Sequence, residues 1–319
     1  MYLSIIIPVY NLSGYIARTL ESVRKQGIVQ GEVEVLVVND GSTDDSKEVI
    51  LGNLGEGFRL IDNETNRGVS FARNTGLDAA IGSYVAFLDG DDFLCENAID
   101  SLLAFIKEGA NADIIVMNSV SEKREVYDWH HLFKDGAECP SYEVFKKGYA
   151  RSSVWGCAFK REYINESKLR FVNGYGYGED TVFFETALLG NPVMVFKNID
   201  FYEVTVRLGS VTSDVKRINL PMYRTGVDWL VKYRGKCRNT MDRQIVDFCI
   251  YKLINSYSKA AVSQKVAYSK AKDILFPKGR PRLMWRKAPK NKKTILLLNV
   301  SYFLFYQVVR HKNRRANQS

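Results

Sequence analysis

One pattern recurs four times between residues 3 and 92: a short apolar run that stops at a polar cluster, with helical spacing between successive runs. Leu3–Pro8 (LSIIIP) is rich in β-branched residues and predicts a buried strand. Helical spacing over Asn11–Gln26 follows, with Ile16, Leu20 and Val23 on one face and Asn11 or Ser13 as the N-cap. Val33–Val38 (VEVLVV) predicts a second strand, stopped by Asn39-Asp40-Gly41-Ser42, and a helix over Asp44–Leu54. Phe58–Asp62 reads as a third strand, Gly68–Ile81 as a helix, and Tyr84–Leu88 as a fourth strand ending in Asp89-Gly90-Asp91-Asp92. Runs this apolar must be covered on both faces, so the pattern predicts an α/β fold: a mostly parallel central sheet with helices on both sides. The polar clusters then fall at the C-terminal ends of strands, the edge where open α/β sheets bind ligands.

Beyond residue 97 the pattern loosens. Ala112–Val116, Trp155–Lys160 and Val193–Val206 are strand candidates, and Tyr142–Tyr149 is a short helix. The last two strands flank a glycine-rich loop from Asn173 to Asp180. Between Asn219 and Leu275 only amphipathic helical spacing remains, which predicts a C-terminal helical region.

Three carboxylates directly after a buried strand, in Asp89-Gly90-Asp91-Asp92, repel one another unless a cation sits among them. Hard oxygen donors suit Mg²⁺ or Mn²⁺, above all when diphosphate oxygens complete the shell. A polar turn that merely opens the next helix explains an isolated DGDD equally well. No GxxxxGK[ST] and no GxGxxG occurs, so P-loop and dinucleotide-binding readings lack their phosphate cradle. Asp40 at a strand end can accept from a nucleobase ring N–H, or the Asn39–Thr43 stretch can serve only as turn and cap. Tyr10, after Pro8-Val9, can stack on a base or pack in the core.

Taken together, SIIIPVYN at 4–11, VVNDGSTD at 37–44, NRGVSFARN at 66–74 and FLDGDD at 87–92 strongly resemble the family 2 glycosyltransferases, in order and in spacing. GYGEDTVFF at 176–184 and RLGSVT at 207–212 carry the resemblance to about residue 212. It implies the type A, Rossmann-like nucleotide-sugar fold and an inverting, metal-dependent transfer from a UDP-sugar to a carbohydrate acceptor. The acceptor implied is a lipid-linked oligosaccharide of a bacterial capsule, exopolysaccharide or O-antigen. By the resemblance Asp91 ligates Mn²⁺ or Mg²⁺, and Asp89 shares the metal or reaches the ribose. Pro8, Val9 and Tyr10 border the base, Asp40 reads its edge, and Asn66, Gly68, Arg73 and Gly90 line the nucleotide pocket. The commonest form of the second motif has two aspartates where this chain has Asn39-Asp40, a mild departure. Glu179-Asp180 matches the family's ED pair, with Asp180 as general base; the competing role for Asp180 is to cap a helix starting at Thr181. Arg207 and Ser210 would offset charge on the leaving diphosphate, with a surface ion pair as the competing role for Arg207, and Trp155 would form a wall of the donor-sugar or acceptor site or else pack in the core. His130 and His131 read as loop residues. A non-catalytic nucleotide-sugar-binding or scaffold protein of the same fold is the alternative, and the intact DGD and ED pairs argue against it.

The formal charge of +9 divides unevenly: twelve basic and no acidic residues lie from Ile274 onward, so residues 1–273 carry about −3. The expected organisation is a catalytic domain over 1–215, with its nucleotide-binding half at 1–95 and its acceptor half at 96–215. A helical extension over 216–275 and a basic amphipathic tail over 276–319 follow. The tail suits an anionic membrane surface, with docking onto the protein as the competing use, and no nucleic-acid recognition motif accompanies it. Its apolar stretch, Ile295–Val309, is short for a span and is interrupted by Asn299, Ser301 and Gln307. Five scattered cysteines without a CxxC pair and a start without signal-peptide features predict a cytoplasmic protein, attached peripherally to the inner face of the cell membrane.

Overall fold

All seven residues of the first apolar run, β1 (Leu3–Val9), are buried, as a run without polar alternation requires. The computed structural model describes residues 1–27, 31–121, 129–149, 151, 153–175, 177–205, 219–276, 305–307 and 309. β2 (Val33–Asp40) lies parallel to β1, with Leu3 opposite Val33 and Val9 opposite Asn39. β3 (Phe58–Asn63) continues the sheet beyond β2, and β4 (Tyr84–Phe87) pairs with the other side of β1, again in parallel. The crossovers are α1 (Ile16–Arg24), α2 (Ser46–Asn53) and α3 (Val69–Ala79). Ile5, Ile7, Val35 and Val37 are fully enclosed, each contributing about 1.5–3 kcal/mol by leaving water.

The strand order is β3-β2-β1-β4, so the chain runs outward from β1 to β3 and then returns across β1 to place β4. That reversal opens a crevice between the C-terminal ends of β1 and β4, where Tyr10 and the Asp89–Asp92 turn lie.

Past β4 the sheet becomes mixed. β8 (Cys157–Lys160) runs antiparallel to β4 and to β6 (Ile114–Val120), and β9 (Val193–Glu203) lies parallel to β6. Two short strands, β5 (Phe93–Leu94) and β7 (Ala137–Pro140), each pair antiparallel with β9. Helices α4 (Ala98–Lys107) and α6 (Arg161–Glu166) complete this part. The expected cap of α1 is not used. The helix begins at Ile16 with no side-chain cap, and Asn11 adopts φ 53° and bonds across to residues 42 and 43.

The chain forms two compact units. The first, residues 1–141, 153–174 and 191–206, contains the whole sheet. The second gathers 142–152, 175–190 and 207–319, so it draws on residues from within the expected 1–215 region. It includes α5 from Tyr142 onward (Ser141–Lys146), α7 (Glu179–Ala187), α8 (Leu220–Arg234), α9 (Thr240–Ser263) and α10 (Tyr268–Leu275). Asn239 caps α9 by accepting from the Asp242 N–H at 2.8 Å. Gly226 of α8 passes so close to Tyr175 that a Cβ there would lie 2.4 Å from the ring; only glycine admits this approach. Lys252 of α9 and Glu185 of α7 form a buried ion pair at 2.8 Å.

Part of the C-terminal stretch also belongs to this core. Phe305, Tyr306 and Val309 are buried. Phe305 meets Tyr251 edge-on, and the Tyr306 hydroxyl donates to the Val266 carbonyl at 2.9 Å. Among the described residues no helix is long and apolar enough to cross a membrane.

Candidate functional site

The loops after β1, β2 and β3 are laced together by short polar side chains. The Asn11 and Leu12 N–H groups donate to the Ser42 and Ser46 hydroxyls at 3.0 and 2.7 Å, while Asn11 Oδ1 accepts from the Thr43 N–H at 2.8 Å. Gly41, at φ 64°, runs against the backbone of the next loop: a Cβ would lie 2.6 Å from the Thr65 carbonyl carbon. Asp44 accepts from the Ser13 and Ser46 N–H groups and from the Ser46 hydroxyl. Burial works against its charge, but these hydrogen bonds outweigh it and hold Asp44 down at about 2. The native state therefore binds fewer protons than the unfolded chain between about pH 4 and pH 2, so Asp44 adds stability above that window and loses it as the pH falls. Asp44→Asn is expected to flatten the acid limb of a circular-dichroism titration over this range; an unchanged slope would contradict the assignment.

Asp40, expected at the base edge, is held by the chain around it. It is buried, its Oδ2 accepts from the N–H groups of Gly68 and Arg67 at 2.7 and 3.1 Å, and its Oδ1 accepts from Asn63 at 3.2 Å. Its carboxylate is turned into the protein, where it shapes the turn that leads into α3. Neighbouring Asn39 is also turned inward, donating to Asp62 at 2.7 Å. Side chains at the surface here include Tyr10, which is 43% exposed, and Asn66, whose Oδ1 accepts from the Gly68 N–H at 2.8 Å.

At the end of β4 three sequence-predicted residues converge. The buried Arg73 guanidinium donates to Asp89 Oδ1 at 2.7 Å, and the Trp155 indole N–H donates to Asp89 Oδ2 at 3.0 Å. Gly90 fits against Pro8 and Val9: an added Cβ would come within 3.1 Å of the Pro8 oxygen. Asp91 is partly exposed. Trp155, expected as a sugar-site wall, is partly exposed and also stacks on Tyr202, with centroids 5.5 Å apart and planes at 12°.

Two residues of this cluster had no role assigned from sequence. Asp92 is 4% exposed; it accepts from the Tyr202 hydroxyl at 2.6 Å and from the Thr205 N–H at 2.7 Å. Burial, then the charge of Asp89, pushes Asp92 up to about 7 against those hydrogen bonds. Tyr202 lies 110 positions along the chain from Asp92, a pairing that no local spacing announces. Asn74 of the NRGVSFARN motif also gains a function: it bonds both the N–H and the carbonyl of Phe171, each at 2.9 Å, and so fixes the chain just before Gly174.

Among the described residues no group of three or more His, Cys, Asp or Glu side chains is placed to hold a metal ion. A closed protein cage is therefore not what this turn offers. Mg²⁺ and Mn²⁺ shared with substrate phosphates need only one or two carboxylates. Asp91 and Asp89 fit that demand, since each Asp89 oxygen keeps a lone pair beyond its N–H partner.

Glu179 and Asp180 lie in the second unit and open α7. The helix begins at Glu179 with Gly178 in the cap position, so Asp180 sits inside the first turn and does not cap a helix from Thr181. It is 8% exposed, and a helix N-terminus favours a negative charge there. Beneath it, burial raises Glu185, with Lys252 opposing the shift. Arg207 and Ser210 lie outside the described residues.

Comparison with known proteins agrees with this architecture. GlyA of Streptococcus pneumoniae serotype 4, a glycosyltransferase, is 32% identical over 224 residues, which is 66% of this chain and 31% of GlyA. The minor teichoic acid biosynthesis protein GgaA of Bacillus subtilis is 30% identical over 193 residues, 58% of this chain and 43% of GgaA. The chain thus spans well under half the length of both relatives. Residues 1–349 of S. aureus TarS, solved in complex with UDP-GlcNAc, share the fold at TM-score 0.69 and 20% identity, covering 99% of this chain and 92% of that one. Residues 4–166 match the model of glycosyl transferase family 2, and with that match spanning half the chain, the protein belongs to this family.

Proposed function

We propose that this chain transfers a sugar from a UDP-sugar to a hydroxyl of a carbohydrate acceptor, with inversion at the anomeric carbon. The observation that carries the proposal is the convergence of Arg73, Trp155 and the Asp89–Asp92 turn beside Tyr10, at the point where the strand order reverses. Tyr10 offers an exposed ring to a uracil face, and Asn66 and Gly68, exposed in the loop after β3, would line the nucleotide pocket. Asp91, with Asp89, would hold Mn²⁺ or Mg²⁺. When bound, that cation offsets the negative charge of the UDP diphosphate. Arg73 keeps the Asp89 carboxylate fixed and partly neutralised, so the turn tolerates its crowd of acids. Asp180 takes the proton from the acceptor hydroxyl on the face opposite the diphosphate, with Glu179 beside it. Inversion needs no covalent intermediate, so one carboxylate suffices. Arg207 and Ser210 assist departure of UDP, as the resemblance in RLGSVT implies.

The name of GgaA, a teichoic acid biosynthesis protein, supports an acceptor in surface-polymer synthesis; a lipid-linked oligosaccharide of a capsule, exopolysaccharide or O-antigen is the acceptor that the motif resemblance implies. The basic residues of 276–319 would hold the enzyme at the anionic cytoplasmic face of the membrane. Substituting Lys290, Lys292, Lys293, Arg314 and Arg315 by Ala should release the protein from anionic liposomes in a sedimentation assay; undiminished pelleting would reject this role for the tail. The test of the central proposal is a screen of nucleotide sugars with Mn²⁺, read by calorimetry and by donor hydrolysis. One or more UDP-sugars should bind and turn over in preference to GDP-, CMP- and dTDP-sugars. Failure of every UDP-sugar to bind would sink it.

A further inference from the structure

We infer that Tyr202 is a positioning residue for the metal-binding turn, acting together with Trp155; the inference rests on the proposal that this turn holds a divalent cation with UDP. The Tyr202 hydroxyl is used twice. It donates to Asp92 Oδ2 at 2.6 Å and accepts from the Asp89 main-chain N–H at 3.3 Å. The turn itself closes through the Asp92 N–H to the Asp89 carbonyl at 3.0 Å. One fully buried hydroxyl therefore braces both ends of the four residues that present Asp91. The flat face of the same ring supports Trp155, whose indole N–H fixes the second oxygen of Asp89.

These braces act on the residues flanking Asp91. Asp89 is held at its N–H by Tyr202 and at its two oxygens by Arg73 and Trp155. Asp92 is held by Tyr202 and by the Thr205 N–H. Groups that orient ligands in this way are worth about 10–100-fold in metal affinity. Tyr202 and Thr205 lie at and just after the end of β9 (Val193–Glu203), so the turn after β4 is set by the far half of the sheet.

The experiment compares wild type with Tyr202→Phe, which keeps the ring stack and removes both hydrogen bonds, and with Trp155→Phe, which keeps an aromatic face and removes the N–H to Asp89 together with part of the ring. UDP binding is measured by calorimetry in EDTA and across a Mn²⁺ titration. Tyr202→Phe should bind UDP in EDTA as wild type does. Tyr202→Phe should need on the order of tenfold more Mn²⁺ for half-maximal enhancement of binding, and Trp155→Phe should shift the same way by less. Wild-type Mn²⁺ dependence in both variants would overturn the inference. So would loss of UDP binding in EDTA by Tyr202→Phe, because that outcome assigns Tyr202 to the integrity of the whole pocket. If wild-type binding itself gains nothing from Mn²⁺, the metal proposal fails and the inference falls with it, a result distinct from either variant outcome.

Discussion

Asp180→Asn is expected to lower kcat by about 10²–10⁴-fold, the range that a general base contributes, while leaving UDP binding at its wild-type level. The substitution preserves size and hydrogen-bonding shape, so it removes basicity and little else. Asp180 occupies the first turn of α7, is 8% exposed, and is backed by a helix that the Glu185–Lys252 pair ties to α9. That support makes a folding defect from a single neutralising change in the first turn a small term next to the chemical one. The split between kcat and nucleotide affinity is the diagnostic measurement. If the donor is still transferred at wild-type rate, Asp180 is not the base. If UDP affinity collapses together with turnover, its role is in building the donor pocket.

Asp91→Ala should act on the other side of the same split. It removes the carboxylate that the surrounding braces present, so Mn²⁺ should no longer enhance UDP binding, and transfer should fall by roughly two to three orders of magnitude. UDP binding in EDTA should be unchanged, because Tyr10, Asn66 and Gly68 lie in other loops. Calorimetry with and without Mn²⁺ checks both statements, and an enhancement that survives in the variant would move the metal elsewhere.

Much of this site was legible from sequence because its parts are local. A β-branched run that stops at a polar cluster specifies both a strand and the loop at its end, and β1 to β4 follow that rule. Arg73 and Asp89 each sit in a motif that can be read without a partner. What escaped was long-range. The three donors that hold Asp40, from Asn63, Arg67 and Gly68, could not be read from its own motif. Tyr202 and Asp92 are ordinary residues until a strand from the far half of the sheet arrives beside the turn. β8 is four residues long, and its antiparallel entry between β4 and β6 depends on pairing across many positions, not on its own composition. The second unit is assembled from three separated stretches, and helical spacing alone gave no sign that 142–152 and 175–190 belong with 219–276.

The burial of Phe305, Tyr306 and Val309 has a consequence for how this protein is cut. A basic C-terminal stretch invites removal to improve solubility, yet a chain ended at residue 276 would leave the Tyr251 ring without Phe305 and the Val266 carbonyl without the Tyr306 hydroxyl. Such a truncation leaves an exposed aromatic patch. The well-behaved shortened protein is one that keeps residues 305–309 and neutralises the lysines and arginines around them.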